Sequence, residues 1–319
     1  MKLLLLIDLK EKYINEIQDS FANVEILKCL KLEKQKREIV DAEIVISGGD
    51  GIKLELLEKA EKLNWIQAWS AGLDSFNNTA TLNYLKEKGI KVTSTSGIHA
   101  DPISEHVMGF LLNHSRRLYD FYELQKKQKW EWLTVNQLSG KTIAIIGIGS
   151  IGKEIAFKAK AFKMKTIAVK KNINESLDHI DELYSNKELL QLLPRADYVV
   201  VTVPLTDETR AMFGEKEFKA MKESAFFVNI ARGEVVDEKA MIRAFEDGEI
   251  DGAALDVFEE EPLNINSPLY SLENVYITPH ISGAYPDYNK NAIKIFKENL
   301  KRFNDGSDLL NLMDYAKGY

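Results

Sequence analysis

Four segments of the chain carry residue types able to do chemistry. The first is Ile143–Gly152, Ile-Ala-Ile-Ile-Gly-Ile-Gly-Ser-Ile-Gly. An apolar run feeds into Gly147, Gly149 and Gly152, and a helix-forming stretch follows over Lys153–Lys163. In such an arrangement the first glycine makes the tight turn off a strand. The second lets backbone approach a pyrophosphate, and the third lets the new helix pack closely on the strand. The helix start then offers free N–H groups and a positive dipole end to the phosphates. The chemistry implied is dinucleotide binding.

The other three segments each follow an apolar run: Asn229-Ile-Ala-Arg232-Gly233, Asp256-Val-Phe-Glu-Glu-Glu261-Pro262 and Thr278-Pro279-His280. A charge just past a buried strand lies at the carboxyl edge of the sheet, where α/β proteins bind ligands. Singly, each has an ordinary reading: a surface arginine, a solvated acidic loop, a structural histidine. Together they make a set. Hydride transfer to a 2-keto acid needs a cation for the carboxylate and a proton donor for the carbonyl oxygen. It also needs an anion that favours the donor's protonated form. Arginine, histidine and an acid on neighbouring strand ends meet all three needs.

These residues require strands to hold them, and short apolar runs recur along the chain. We expect strands at Lys2–Ile7, Ala42–Ser47, Trp65–Trp69, Lys91–Ser94, Thr142–Ile146, Thr166–Val169, Tyr198–Val203, Ala225–Ile230, Ala253–Val257 and Val275–Thr278. Amphipathic stretches separate most of them. That alternation predicts parallel sheets with crossover helices, and the apolar density suits strands buried on both faces. A helix is expected to open at Asp101-Pro102 and to carry apolar residues from Ile103 to Phe121. Another is expected from about Asp287 to Phe303.

Composition narrows the class. With 319 residues, 45% hydrophobic and 29% charged, the chain is an ordinary globular sequence long enough for two domains. A net charge of −7 argues against a nucleic-acid or anionic-membrane partner. The lone Cys29 excludes an intramolecular disulfide framework and fits a reducing compartment. Met1–Ile7 is too short for a signal segment and Asp8 interrupts it, so a cytoplasmic protein is expected. His99, His106 and His114 fall in or near the Asp101 helix without metal-ligand spacing, and His179 lies in a polar stretch. No metal is expected.

At this point the chain resembles the D-isomer-specific 2-hydroxyacid dehydrogenase family. The likeness rests on Leu138–Gly152, on Ala196–Thr206, Ala-Asp-Tyr-Val-Val-Val-Thr-Val-Pro-Leu-Thr, and on Asn229–Gly233. Ala254–Leu263, Ala-Leu-Asp-Val-Phe-Glu-Glu-Glu-Pro-Leu, and Thr278–His280 complete it. The resemblance implies two doubly wound parallel-sheet domains of α/β class. One is a Rossmann nucleotide-binding domain over 101–284. The other is a flavodoxin-like substrate domain, discontinuous over 1–100 plus 285–319. It implies a catalytic set of Arg232, Glu261 and His280, with Asp256 on the nicotinamide carboxamide. It implies cofactor contacts from Gly147, Gly149, Ser150, Ile151, Gly152, Val203, Pro204 and Ala231. The backbone N–H groups of Ala71 and Gly72 would join Arg232 on the substrate carboxylate, with substrate bound between the domains. A homodimer formed mainly through nucleotide domains is implied as well.

Departures from the family pattern carry information. NAD-specific members usually end the second nucleotide-domain strand on an acid. Counting eighteen residues on from Gly152 reaches Lys170, with Lys171 beside it. Two ammonium groups can pair with a 2′-phosphate, so NADPH is expected as the preferred cofactor, with NAD admitted as well. Tyr285 stands where many members have threonine, its hydroxyl facing substrate or packing between the domains. Glu261 argues against the related formate dehydrogenases, which carry glutamine there. No regulatory extension is expected beyond Tyr319. The expected activity is reduction of a small 2-keto acid, glyoxylate or hydroxypyruvate first, to the D-2-hydroxy acid. The alternatives are a D-3-phosphoglycerate or D-lactate dehydrogenase, or a nucleotide-sensing protein like the C-terminal-binding corepressors.

Overall fold

The computed structural model describes residues 1–316 apart from 172, 174 and 175. Residues 317–319 of the span expected for the substrate domain therefore lie outside the described residues. The chain divides into two compact units, Met1–Ile98 with Tyr285–Tyr319, and His99–Ala284.

The first unit holds five parallel strands: β1 (Lys2–Leu5), β2 (Glu25–Lys28), β3 (Ile44–Ser47), β4 (Trp65–Ala68) and β5 (Lys91–Thr93). Their order is β2-β1-β3-β4-β5, the flavodoxin-like doubly wound order. Alternate residues feed opposite faces, as the two-residue period of a strand requires. Leu4, Val45 and Ile66 enter one apolar layer, and Leu3, Leu5, Ile44, Ile46 and Trp65 enter the other. The helix Tyr288–Asn304 covers the second layer through Ile293, Phe296 and Leu300. Trp65 stacks on Phe296 at 5.2 Å and on Phe303 at 5.5 Å. Composition alone does not place this helix; its Ile293-Phe296-Leu300 stripe does.

The second unit holds seven parallel strands: β6 (Thr142–Ile146), β7 (Lys165–Val169), β8 (Glu182–Tyr184), β9 (Tyr198–Val201), β10 (Phe226–Asn229), β11 (Gly252–Leu255) and β12 (Val275–Ile277). Their order is β12-β11-β10-β9-β6-β7-β8. Counted from β6 this is the dinucleotide-binding order 3-2-1-4-5-6 with one strand added, and its direction reverses beside β6. The helix Ala100–Arg116 packs Val107, Phe110 and Leu111 into the same layer as Ile155, Ala156 and Ala159 of the helix Ser150–Ala161.

Some boundaries differ from those expected. The Asp101 helix opens one residue earlier and does not run to Phe121. Arg117 takes a left-handed φ of 52° and a separate helix follows over Leu118–Lys126. Leu118, Tyr119 and Tyr122 are left exposed as a result. The glycine-rich helix starts at Ser150 rather than Lys153. Two strands, β2 and β8, were not expected. Among the described residues no helix is long and apolar enough to cross a membrane.

Candidate active site

The turn off β6 is shaped by what cannot fit there. Gly147 has a φ of +105°, and a Cβ on it would lie 2.9 Å from Val203 Cγ1. A Cβ on Gly152 would stand 2.2 Å from the Gly147 carbonyl oxygen. Gly149, by contrast, faces open space: nothing lies within 4 Å of where its Cβ would be. Gly149 caps the helix Ser150–Ala161 without a side-chain hydrogen bond. The first-turn N–H groups near Ser150 and Ile151 are thus turned toward a cradle with no side chain in it. Those features fit a dinucleotide pyrophosphate. Val203 and Pro204 follow β9 and close the other wall of the switch point.

The next loops along the edge bear the charged groups. At the end of β10, the buried Asn229 braces the turn from both sides. Its Nδ2 donates to the Arg232 carbonyl at 2.9 Å and its Oδ1 accepts from the Ala231 N–H at 3.0 Å. Arg232 is half-buried, and its Nη1 donates to the Ala231 carbonyl at 2.6 Å. Gly233 is pressed against the loop after β11: a Cβ there would lie 1.8 Å from the Phe258 carbonyl carbon. That loop presents Glu261, whose Oε1 accepts from the Phe258 N–H at 3.1 Å.

Past β12, His280 Nδ1 lies 2.7 Å from Glu261 Oε2. With the carboxylate accepting, Nδ1 carries the proton and Nε2 is the ring's outward nitrogen. The His280 side chain is half-exposed. Asp256 is fully buried beneath it. Its Oδ1 accepts from Thr278 Oγ1 at 2.5 Å and from the Ile281 N–H at 2.9 Å, and its Oδ2 accepts from the Ser282 N–H at 2.9 Å. His99 caps the helix Ala100–Arg116, and burial, with the Arg232 charge nearby, pushes its pKa down to about 4.

The second unit thus brings the glycine turn, Val203, Pro204, Ala231, Arg232, Asp256, Glu261 and His280 to one edge of one sheet. Lys170 also reaches that edge, one residue past β7, its N–H donating to the Tyr184 carbonyl at 3.0 Å. Lys171 has a partner of its own: its Nζ meets Glu208 at 2.8 and 2.9 Å. Ala71, Gly72 and Tyr285 belong to the first unit. Ala71 and Gly72 follow β4 in a turn where Ser70 Oγ donates to the Gly72 carbonyl at 2.7 Å. The Tyr285 hydroxyl accepts from Asn291 Nδ2 at 3.0 Å. Sequence reasoning missed Asn229, Thr278 and His106 as parts of this region. Asn229 and Thr278 open the motifs Asn229–Gly233 and Thr278–His280, and His106 lies on the apolar face of its helix.

A parallel sheet reversing at a glycine turn, with ionisable groups on successive strand ends, defines a dinucleotide-dependent oxidoreductase. Residues 108–282 match the NAD binding domain of the D-isomer specific 2-hydroxyacid dehydrogenases. Over 293 residues the chain is 36% identical to a glyoxylate reductase of Thermococcus litoralis, covering 89% of this chain and 86% of that one. It is 34% identical over 296 residues to a D-3-phosphoglycerate dehydrogenase of Methanocaldococcus jannaschii, covering 90% of this chain and 54% of the relative. The chain spans about half the length of that second protein. A solved D-isomer specific 2-hydroxyacid dehydrogenase family protein from Aeromonas salmonicida superposes with a TM-score of 0.89 at 32% identity, over 98% of this chain and 99% of that one. The chain belongs to the D-isomer specific 2-hydroxyacid dehydrogenases, which are NAD(P)-dependent enzymes.

Proposed function

We propose that the chain reduces a small 2-keto acid of the glyoxylate or hydroxypyruvate type to its D-2-hydroxy acid, with NADPH as the preferred cofactor. The observation that carries this reading is the 2.7 Å pair of His280 Nδ1 with Glu261 Oε2, on the same sheet edge as Arg232 and the glycine turn. The 36% identity to a glyoxylate reductase supports the substrate class. Gly147, Gly149, Ser150, Ile151 and Gly152 hold the pyrophosphate, and Val203, Pro204 and Ala231 line the dinucleotide. When bound, the dinucleotide supplies the hydride. Arg232 holds the substrate carboxylate and steadies the carbonyl oxygen as charge builds on it. His280 gives its Nε2 proton to that oxygen, and Glu261 stabilises the cationic ring. Asp256, already committed to the His280 loop, would reach the carboxamide from that position. Steady-state NADPH oxidation with glyoxylate, hydroxypyruvate, pyruvate and phosphohydroxypyruvate tests the proposal. Turnover highest with either of the first two is expected. Preference for the phosphorylated acid would make it a phosphoglycerate dehydrogenase. Dinucleotide binding without any turnover would make it a sensor.

Cofactor choice rests on Lys170. A charge-assisted contact to a 2′-phosphate contributes about 1.5–3 kcal/mol, which is roughly ten- to hundredfold in discrimination. Lys170→Asp should lower kcat/KM for NADPH by that factor and leave NADH unchanged or improved. The preference should shrink as salt rises. Equal use of both cofactors by the unmutated enzyme would return Lys170 and Lys171 to plain surface charges.

We also propose a homodimer. The segment after Arg117 supports it: Trp130 and Trp132 are 96% and 95% exposed. With Phe121, Leu124 and Leu133 they line a groove of about 580 Å³. Apolar area of this kind is rarely left to water. Light scattering at micromolar concentration should give twice the 36.3 kDa chain mass, and Trp130→Glu with Trp132→Glu should halve it. A monomeric unmutated protein would refute the proposal.

A further inference from the structure

Beneath the His280–Glu261 pair lies a polar chain of which the reaction as proposed uses only the buried Asp256; His106 and Thr278, both partly buried, have no part in it. Asp256 holds three consecutive residues of the loop after β12. Its carbonyl accepts from the His280 N–H at 2.8 Å, and its carboxylate accepts from the Ile281 and Ser282 N–H groups, each at 2.9 Å. The same carboxylate takes the Thr278 hydroxyl proton at 2.5 Å. A hydroxyl has one proton to give. His106 Nε2, 3.2 Å from that hydroxyl oxygen, is therefore the donor in its contact. The chain of donation runs from His106 Nε2–H to Thr278 Oγ1–H to Asp256. It requires a His106 ring with its proton on Nε2. Burial lowers the His106 pKa against the opposing Asp256 charge, which agrees with a neutral ring. The Phe110 ring meets His106 edge-on at 4.5 Å and keeps it in place.

The need for such a chain is visible in the backbone. His280 has a φ of 50°, left-handed space that a side chain other than glycine rarely adopts. Surrounding bonds must hold it there, or the ring swings off Glu261. We propose that His106 and Thr278 are positioning residues. They orient the buried Asp256 carboxylate, and through it they fix the backbone of His280 so that its ring stays on Glu261. The inference rests on His280 as the proton donor.

Thr278→Val deletes one donor to a buried carboxylate while keeping side-chain volume. Hydrogen bonds to charged groups predict a fall in kcat of roughly ten- to hundredfold. The dinucleotide Kd, read by quenching of tryptophan fluorescence, should change by less than kcat, because Asp256 keeps its two backbone N–H donors. Thr278→Ser, which keeps the hydroxyl, should restore most of kcat. His106→Leu should lower kcat by several-fold. His106→Gln, whose amide nitrogen stands in for Nε2–H, should recover it. His280→Ala measured alongside separates the two ideas. An inactive His280→Ala with Thr278→Val and His106→Leu both at full kcat rejects the positioning chain and leaves the acid standing. Near-normal turnover in His280→Ala rejects the acid, and the positioning chain with it. Thr278→Ser as impaired as Thr278→Val, with folding intact by circular dichroism, also rejects the chain, since packing rather than the hydroxyl would then be what matters.

Discussion

Replacing His280 with alanine is expected to lower turnover by roughly 10²–10⁴-fold, the range typical of a positioned general acid. The dinucleotide affinity should hardly change. His280 stands past β12, four strands away from the glycine turn off β6 in the sheet order. Its ring is held by Glu261 rather than by any part of that turn. In the proposed reaction, removing the ring deletes the proton for the carbonyl oxygen and leaves the Glu261 carboxylate without its partner. Both effects fall on the chemical step. Steady-state kcat, with the NADPH Kd measured on the same preparation, checks the split. Turnover close to that of the unmutated enzyme at neutral pH would remove His280 from the mechanism.

Arg232→Ala should damage both Michaelis constant and turnover. In the proposed reaction the guanidinium holds a carboxylate and meets charge developing on the neighbouring oxygen. Two charge-assisted bonds contribute about 3–6 kcal/mol together, which is roughly two to four decades in kcat/KM. Lysine should rescue poorly, because a point charge does not replace a planar fork. The loop itself anchors this arginine. Asn229 bonds the chain on both sides of Arg232, and Nη1 is already fixed on the Ala231 carbonyl. Kinetics of the alanine and lysine variants with glyoxylate provide the check. Full rescue by lysine would overturn the two-point contact.

Ten of the strands could be read from the sequence because interior parallel strands are apolar on both faces. The run Tyr198–Val201 is buried at every position. The two that could not, β2 and β8, are edge strands. Neither has a fully buried residue, so neither needs an apolar run. The break at Arg117 was hidden because the apolar spacing continues past it to Phe121. Arg232, Asp256 and His280 stood out because each follows soon after an apolar run stops. What sequence could not give is who meets whom. His106 and Thr278 are 172 positions apart, and Lys171 finds Glu208 across 37. Tertiary folding alone makes those pairs. The internal use of the Asp256 carboxylate was equally hidden, since an acid past a strand end looks the same whether it faces ligand or backbone.

The tight seat of Gly233 against the Phe258 carbonyl has a mechanical consequence. The loop that carries Arg232 and the loop that carries Glu261 touch backbone to backbone, with no side chain between them to slide or repack. Their relative position is set by backbone packing. In the proposed reaction, the cation for the substrate carboxylate and the anion behind the proton donor are therefore spaced by the main chain. Little reorganisation is left for the moment of reaction, which is where a preorganised charge layout gains most over water. Tuning for a new substrate can then work on other loops, while any side chain introduced at position 233 would force these two loops apart.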